Sequence, residues 1–556
     1  MKSNTQQTEK RSSDYGQLEE LGRNFWEWRA QHQPISYDDI PRIERPQQWI
    51  PDWSPSTIAV RREDLSRFKA KWKTLDVTSW SIPQQVDYRL IGSAFARVRW
   101  ELDVTRSQDI NPDFYINQTL GAIYLLLLKP PPFDAERSAE IVTRMRSIPQ
   151  TIADAKKNLE QGAVRPFAVT AIEKLKNVRK YLTKVLTELK PLINLESGTQ
   201  LEQATDDAIQ ALESLREWLE ARLPGMTEKT AVGRDAYLFF LRNVALMPFT
   251  PEQLLLMSTQ EWERSVAFET FEQLRNSGLP ELTVFRDQAA QMTREDQLER
   301  EVRLFLEAKN IVSVPDWVQH YRNLPLPPYV EALSFMGVAD DLTSATRLDE
   351  DGISYIKVPS PELDYFSLSI AKDPRPLIVH EGVPGHYFQL VLSWAHENPI
   401  RRYYYYDSGA NEGIGFYAEE LMLRFGLFDD SPRTREIMYN YMRLRALRVE
   451  VDVKLALGLF TIDQAADYLQ EVAGLDRATA WQEATFFASC PGQAITYQIG
   501  KLQIVKFLAD AKRRQGDAFG LRAFHDYVWK NGNVPIALQR WEYLGLNGEI
   551  KSIDAE

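Results

Sequence analysis

The chain has little of several features that mark particular classes of protein. Cys490 is the only cysteine among 556 residues, so no disulfide can form within the chain. The longest apolar run, Leu120–Leu128, is too short to cross a bilayer, because a crossing helix needs about 20 apolar residues. The first residues are polar and lack the apolar stretch of a signal peptide. We therefore expect a cytoplasmic protein with no membrane partner.

Basic residues are also scarce relative to acidic ones. The chain has 66 Lys and Arg against 78 Asp and Glu, which gives a formal net charge of −12. Nucleic acids and anionic lipids bind proteins that carry an excess of positive charge, so neither is expected as a partner. Nothing in the sequence indicates an oligomeric state.

Helical periodicity dominates the rest of the chain. The length exceeds what one hydrophobic core usually organises, which predicts two parts. We predict a disordered N-terminus over residues 1–15, a mainly helical N-terminal lobe over 16–230 and a helical catalytic lobe over 231–556. Long charged amphipathic segments between 137 and 224 are typical of antiparallel surface helices.

One region departs from the helical pattern. Residues 352–358 and 365–371 alternate apolar and polar side chains and are separated by the sequence PSPELD, so we predict a β-hairpin. The free edge of such a hairpin could pair with an extended peptide, or the hairpin could only cover a cleft. The sequence does not decide between these two roles of the hairpin.

Histidine is rare, and two of the six histidines lie in one heptapeptide. His380-Glu381-Gly382-Val383-Pro384-Gly385-His386 resembles the zinc-binding sequence H-E-x-x-H, with two extra residues before the second histidine. On an unbroken helix these histidines would lie about 120° apart around the axis and about 9 Å apart along it. They can share one ion only if the helix breaks, and Pro384 and Gly385 are residues that break helices. The alternative is an ordinary helix end with two incidental histidines.

A catalytic zinc site needs a third protein ligand and one open position. Residues 408–426 offer Glu412, and Glu419 lies seven residues later on the same helical face. We predict Glu412 as the third ligand and Glu419 as the partner of a ligating histidine. Glu412 could instead complement the helix dipole, and Asp452 is the next candidate ligand. Gly413 and Gly415 fit a helix that packs closely against the motif helix.

Two further residues are candidates for stabilising a reaction intermediate. Tyr497 could donate a hydrogen bond to an oxyanion, and His525 is a weaker candidate for the same role. Each has a structural alternative, namely a tyrosine or histidine buried in the core. Arg448 and Asp452 are spaced four residues apart, which predicts a structural ion pair.

These motifs resemble a large bacterial family of proteins without an assigned function. That family is defined by H-E-x-x-P-G-H followed by E-G-W-A-x-Y-x-E, and it is a remote relative of helical zinc peptidases such as angiotensin-converting enzyme and thimet oligopeptidase. The second motif here is EGIGFYAEE, with Ile414 and Gly415 in place of the tryptophan and alanine. Ala456 stands where the family usually has a histidine.

The resemblance is strong from about residue 230 to the end and looser before it. It implies a mainly α, two-lobed, metallopeptidase-like fold with a central cleft, and one bound Zn²⁺ or another divalent metal. The predicted function is a metal-dependent hydrolase of short peptides with Glu381 as general base. The alternatives are an enzyme that acts on a non-peptide amide or ester, and a non-catalytic binding protein.

Overall fold

The computed structural model describes residues 2–36, 42–404 and 408–555. Helix accounts for 70% of the chain and strand for 3%, which confirms the prediction of a mainly helical class. None of the helices in these described ranges combines the length and the apolar character that a bilayer crossing requires.

The first ten helices occupy the part of the chain before residue 223. They are α1 (Lys2–His32), α2 (Pro55–Lys73), α3 (Ile82–Arg99), α4 (Ser107–Ile110), α5 (Pro112–Ile116), α6 (Ala122–Leu128), α7 (Ala135–Asn158), α8 (Arg165–Leu175), α9 (Val178–Leu189) and α10 (Leu195–Arg222). Helix α1 includes residues 2–15, for which the sequence predicts disorder. Helices α7 and α10 pack side by side, in line with the amphipathic pattern of this region.

The remaining helices lie between residues 234 and 554, and several of them contribute to the candidate site. They are α11 (Arg234–Phe239), α12 (Pro251–Arg275), α13 (Gln288–Ala308), α14 (Pro328–Glu331), α15 (Tyr365–Lys372), α16 (Arg375–Leu377), α17 (His386–Trp394), α18 (Pro399–Arg402), α19 (Ser408–Phe425), α20 (Pro432–Leu457), α21 (Ile462–Tyr468), α22 (Arg477–Ser489), α23 (Thr496–Gln515), α24 (Leu521–Lys530), α25 (Ile536–Leu544) and α26 (Gly548–Asp554).

Short turns of other helix types interrupt this series. The π-helical turns are Trp100–Thr105, Asn117–Gly121, Phe240–Val244, Ile378–Gly382 and Leu469–Ala473. The 3₁₀ turns are Leu223–Gly225, Ser334–Met336 and Gly516–Ala518. Such π turns appear often at functional sites, and Ile378–Gly382 contains the first three residues of the candidate metal motif.

A three-stranded sheet lies beside this motif. Its strands are β1 (Tyr321–Pro325), β2 (Asp340–Asp341) and β3 (Gly352–Ile356), in the order β1-β3-β2. Strand β3 pairs in parallel with β1 and antiparallel with β2.

The predicted β-hairpin is wrong in its second strand. Residues 365–371 belong to helix α15, and the side chain of Asp364 caps this helix by accepting a hydrogen bond from the Ser367 backbone N–H. A short apolar run fits a strand or a helix equally well by period, and here the capping carboxylate favours the helix.

The hydrophobic core joins distant parts of the sequence. One cluster of buried apolar side chains surrounds the motif and draws on α13, α17, α19, α23 and α24. A second cluster combines helices α1–α3 with residues from α18 and α25. Residues from both sides of position 230 therefore share this core.

Candidate metal centre

The two histidines of the motif lie on separate helical segments, and the first segment ends before the second begins. His380 lies in the π-helical turn Ile378–Gly382, Val383 is extended with φ −126° and ψ 123°, and His386 opens α17. The sequence prediction of a break at Pro384 and Gly385 is confirmed. The break places the two imidazole rings 4.8 Å apart between centroids, nearly perpendicular to each other at 86°.

Gly385 is required by the way the chain folds back at this break. A Cβ added there would lie 1.8 Å from the backbone oxygen of His380, far inside any van der Waals contact. Gly382 is confined in a similar way, since a Cβ on it would lie 2.5 Å from the ring of Tyr321 in β1. The sheet and the folded-back turn thus fix the backbone on both sides of Glu381.

Three potential ligand atoms converge at the break. The Nε2 atoms of His380 and His386 lie 3.4 Å and 3.1 Å from Oε2 of Glu412, and the three ligand atoms all lie within 4.8 Å of one another. Tetrahedral coordination with bonds of about 2.0–2.2 Å separates ligand atoms by about 3.3–3.6 Å. Two imidazole nitrogens and one carboxylate oxygen form a set that zinc prefers, so these residues fit the implied metal.

Burial isolates this group from bulk water. His380, His386 and Glu412 are 6%, 0% and 3% exposed, and no other such cluster of His, Cys, Asp and Glu occurs in the described ranges. Burial alone would raise the pKa of Glu412, but the two imidazoles outweigh it and hold that pKa well below its usual range. Glu412 is therefore an anion that faces two imidazoles.

The glycines of α19 allow its close approach. A Cβ on Gly415 would lie 3.0 Å from Cε1 of His380 and 3.2 Å from Cε1 of His386. Gly413 has a different neighbour, because a Cβ there would lie 2.8 Å from the backbone of Gly500 in α23. The expected packing against the motif therefore holds for Gly415, while Gly413 serves the contact between α19 and α23.

Glu419 lies behind His380, on the side away from Glu412. Its Oε1 is 2.6 Å from Nδ1 of His380, and Arg445 approaches the same carboxylate with both terminal nitrogens at 2.9 Å and 3.1 Å. The contact with Nδ1 is a close charge contact and is not aligned as a hydrogen bond. Burial would lower the pKa of His380, yet Glu412 and Glu419 together raise it to about 9.

Glu381 faces the same site with different electrostatics. Burial raises its pKa, and the nearby His386 and His380 only partly oppose this effect. A carboxyl group with a raised pKa beside two imidazoles is suited to accept a proton and to release it again.

A cavity of about 750 Å³ opens onto this site. Its wall includes His380, Glu381 and Tyr497, and helices from both halves of the chain contribute to it. The Tyr497 ring stacks on the His380 ring at 6.1 Å between centroids and 17° between planes. Aromatic residues make up much of the remaining wall: Trp53, Trp100, Phe114, Phe167, Phe240, Phe335, Tyr355, Phe366, Tyr441, Phe486 and Phe487.

His525 lies in the protein core and does not line this cavity. Its Nδ1 donates to the Ile311 carbonyl at 2.8 Å, and Tyr417 Oη lies 3.0 Å from its Nε2. Burial lowers the pKa of His525 to about 4. The arrangement matches the structural alternative for this residue.

The predicted ion pair between Arg448 and Asp452 is wrong. Arg448 pairs with Glu483 instead, and Asp452 accepts hydrogen bonds from the backbone N–H groups of Gly492 and Ala494. Burial raises the pKa of Asp452 to about 7 in spite of these bonds. Asp452 therefore anchors the turn before α23 and is not a metal ligand here.

Arg445, which pairs with Glu419, is a residue of the site that the sequence motifs do not identify. A usable signal was present: a glutamate expected to lie buried behind a histidine needs a cation, and α20 carries several arginines. The choice among those arginines depends on how α20 packs against α19, which no local pattern reveals.

Comparisons with known proteins agree with this fold. The sequence profile of the family described as "Bacterial protein of unknown function (DUF885)" matches residues 42–541. No curated protein is significantly similar to the chain.

Two solved structures share the fold, and each is called a "putative lipoprotein". The protein from Colwellia psychrerythraea has a TM-score of 0.72 at 16% identity and covers 98% of this chain and 99% of its own. The protein from Shewanella oneidensis, of unknown function, has a TM-score of 0.69 at 17% identity and covers 89% of this chain and 94% of its own.

Proposed function

The chain belongs to DUF885, a family of bacterial proteins of unknown function, and from its site we propose that it is a metal-dependent hydrolase of amide bonds in short peptides. The observation that carries the proposal is the convergence of His380, His386 and Glu412 within 4.8 Å beside Glu381. This combination supplies three ligands and a separate base, which is the composition of a catalytic zinc site. The relationship to zinc peptidases is part of the proposal.

His380, His386 and Glu412 would hold the ion. When bound, zinc supplies Lewis acidity, which polarises a carbonyl group and lowers the pKa of water. Glu381 takes a proton from the attacking water as the new carbon–oxygen bond forms. It then gives this proton to the leaving nitrogen as the carbon–nitrogen bond breaks. Tyr497, whose ring stacks on that of His380, would donate a hydrogen bond to the carbonyl oxygen as negative charge develops there.

The supporting residues keep this arrangement in place. Glu419, which is paired with Arg445, lies against Nδ1 of His380, and such outer partners commonly change metal affinity by about 10–100-fold. The buried cavity excludes folded proteins and admits extended or small substrates. A screen of short peptides against small amides and esters would show whether a non-peptide substrate is the better one.

Metal content tests the ligand assignment. We expect His380→Ala and His386→Ala to lose roughly stoichiometric zinc while the circular dichroism spectrum stays helical, because each removes one of three ligands. His320→Ala is the matched control, since His320 is half exposed and lies outside the cluster. Unchanged zinc in both ligand variants would refute the site.

Turnover tests the general base separately. We expect Glu381→Gln to retain zinc and to lose activity by about 10²-fold or more, the usual contribution of a general base. Glu397→Gln, at an exposed position after α17, should leave both quantities unchanged. A near-normal rate in Glu381→Gln would assign the base to another group.

The location is part of the proposal as well. The name lipoprotein on both structural neighbours supports a place outside the cytoplasm, in contrast to the cytoplasmic location that the sequence predicts. Cell fractionation of the native host distinguishes the two, and recovery in the cytoplasmic fraction would restore the original prediction.

A further inference from the structure

Arg448 is a buried cation in the wall of the cavity. The residue is 7% exposed and lies one helical turn beyond Arg445 on α20. Its Nε and Nη2 atoms donate to Glu483 at 2.7 Å and 2.6 Å, which fixes the plane of the guanidinium. Among the residues that the structure describes, these are the hydrogen bonds of the guanidinium, which leaves Nη1 without a partner, and Arg448 lines the cavity. One edge of a rigid guanidinium is therefore available to the cavity.

Three aromatic rings lie around this guanidinium. The guanidinium carbon lies 5.3 Å from the ring centre of Tyr497, 5.6 Å from that of Phe366 and 5.8 Å from that of Phe487. All three rings also line the cavity. An arginine held in such a frame offers planar N–H donors beside an apolar surface, which suits a carboxylate next to an apolar side chain.

We propose that Arg448 binds the free carboxylate of the substrate, so that the enzyme acts on peptides or N-acyl amino acids that end in an apolar residue. This inference rests on the proposed function for the identity of the cleaved bond. The carboxylate recognition itself depends only on Arg448 and its surroundings.

The distances favour a scissile bond close to that terminus. Tyr497 lies between the two groups, with its ring 6.1 Å from the His380 ring and 5.3 Å from the guanidinium carbon of Arg448. An extended chain advances about 3.3–3.6 Å per residue. A carboxylate held by Arg448 would thus place an amide one or two residues earlier beside His380 and Glu381.

Binding of two matched probes tests the proposal without catalysis. N-acetyl-phenylalanine and its amide differ in the terminal charge and hardly in size, and their dissociation constants can be measured by calorimetry on the full chain with and without zinc. We expect the acid to bind about 10–100-fold more tightly than the amide in both states, the range of a charged hydrogen bond. Equal affinities would overturn the proposal.

Variants assign the preference to Arg448. Arg448→Gln alone leaves Glu483 partly buried without its partner, so the double variant Arg448→Gln/Glu483→Gln is the main test. We expect it to lose the preference for the acid, and Arg443→Gln to keep it, since Arg443 is on the same helix but pairs with Glu269 outside the cavity. A preference that persists in the double variant would refute the role of Arg448.

Hydrolysis of peptides with free and amidated C-termini separates this inference from the proposed function. Cleavage that ignores amidation would overturn the inference and leave the hydrolase standing. Carboxylate binding that depends on Arg448, with no hydrolysis of any peptide, would support carboxylate recognition and refute the peptidase. Cleavage of the free acids alone, with a raised KM in the double variant, would support both.

Discussion

At the scale of single residues, two neighbouring glutamates have pKa values displaced in opposite directions. Glu412 is buried and Glu381 is half-buried in the cavity wall, and loss of solvent acts to raise the pKa of each. Glu412 contacts both imidazoles directly, so their attraction outweighs burial and keeps it ionised. Glu381 lacks such contacts, and burial prevails there. Environments that separate the pKa values of two carboxyl groups are what allow one to serve as a ligand and the other to exchange protons.

Glu295, another buried glutamate, should make the stability of the fold depend on pH. Burial raises the pKa of Glu295 from 4.5 to about 8, although a hydrogen bond from Gln291 opposes the shift. As the pH rises from about 4.5 to about 8, the unfolded chain loses this proton while the folded chain keeps it, so the free energy of unfolding falls. The glutamine in Glu295→Gln does not ionise, so this variant should not lose stability in that way. We expect the free energy of unfolding of the variant, relative to the wild type, to increase by on the order of 1–3 kcal/mol between pH 5 and pH 8 in urea denaturation.

An exposed glutamate on the same helix is the control for that experiment. Glu301 lies on α13 with its side chain 55% exposed, and Glu301→Gln should change the free energy of unfolding by about 0.5 kcal/mol or less at both pH values. A Glu295→Gln variant with the same pH dependence as the wild type would show that Glu295 is ionised in the folded protein.

At the scale of secondary-structure elements, the proposed metal site depends on a helix that stops and restarts. The turn Ile378–Gly382 and helix α17 each carry one histidine, and α19 brings Glu412, the third candidate ligand, across them. The contact of Gly385 with the His380 carbonyl oxygen is what lets the chain fold back so sharply.

A methyl group at position 385 should therefore damage metal binding although no ligand side chain is changed. In Gly385→Ala the new Cβ would meet the His380 oxygen at 1.8 Å, so the turn must open and the two imidazoles must separate. We expect zinc affinity to fall about 10–100-fold in a competition titration with a chelating dye. Gly278→Ala is the control, since nothing lies within 4 Å of its added Cβ. Equal zinc affinity in the two variants would contradict this account.

The elements also show what the sequence could and could not predict. The break at Gly385 was predictable, because the spacing of His380 and His386 makes metal binding impossible without it. The pattern of residues 365–371 predicts a strand where helix α15 forms, because seven residues are too few to distinguish the two periods, and only the cap at Asp364 indicates the helix. Arg445 lies 26 residues from Glu419, and only the packing of α20 on α19 brings them together.

At the scale of the whole molecule, the cavity keeps its shape only if helices that are distant in the sequence hold their relative positions. Arg401 is 6% exposed and joins Asp87 of α3, at 2.9 Å, to Glu542 of α25, at 2.7 Å. Asp87 also accepts hydrogen bonds from Tyr15 at 2.7 Å and from Asn398 at 2.8 Å. This network joins helices α1 and α3, near the N-terminus, to helices α18 and α25.

Removal of the charge of Asp87 should destabilise the fold and spare the metal site. Asp87→Asn keeps the shape of the side chain but leaves Arg401 with a buried positive charge that is less well compensated, which should lower the free energy of unfolding by about 3 kcal/mol. Asp103→Asn is the matched control, because Asp103 and its partner Arg62 are each 43% exposed and such pairs contribute about 1 kcal/mol or less. Urea denaturation measures the difference, and zinc content should be unchanged in both variants because neither pair contacts a ligand. If the two variants lost the same stability, the buried network would contribute no more than a surface pair, and the apolar cluster around it would have to hold these helices together alone.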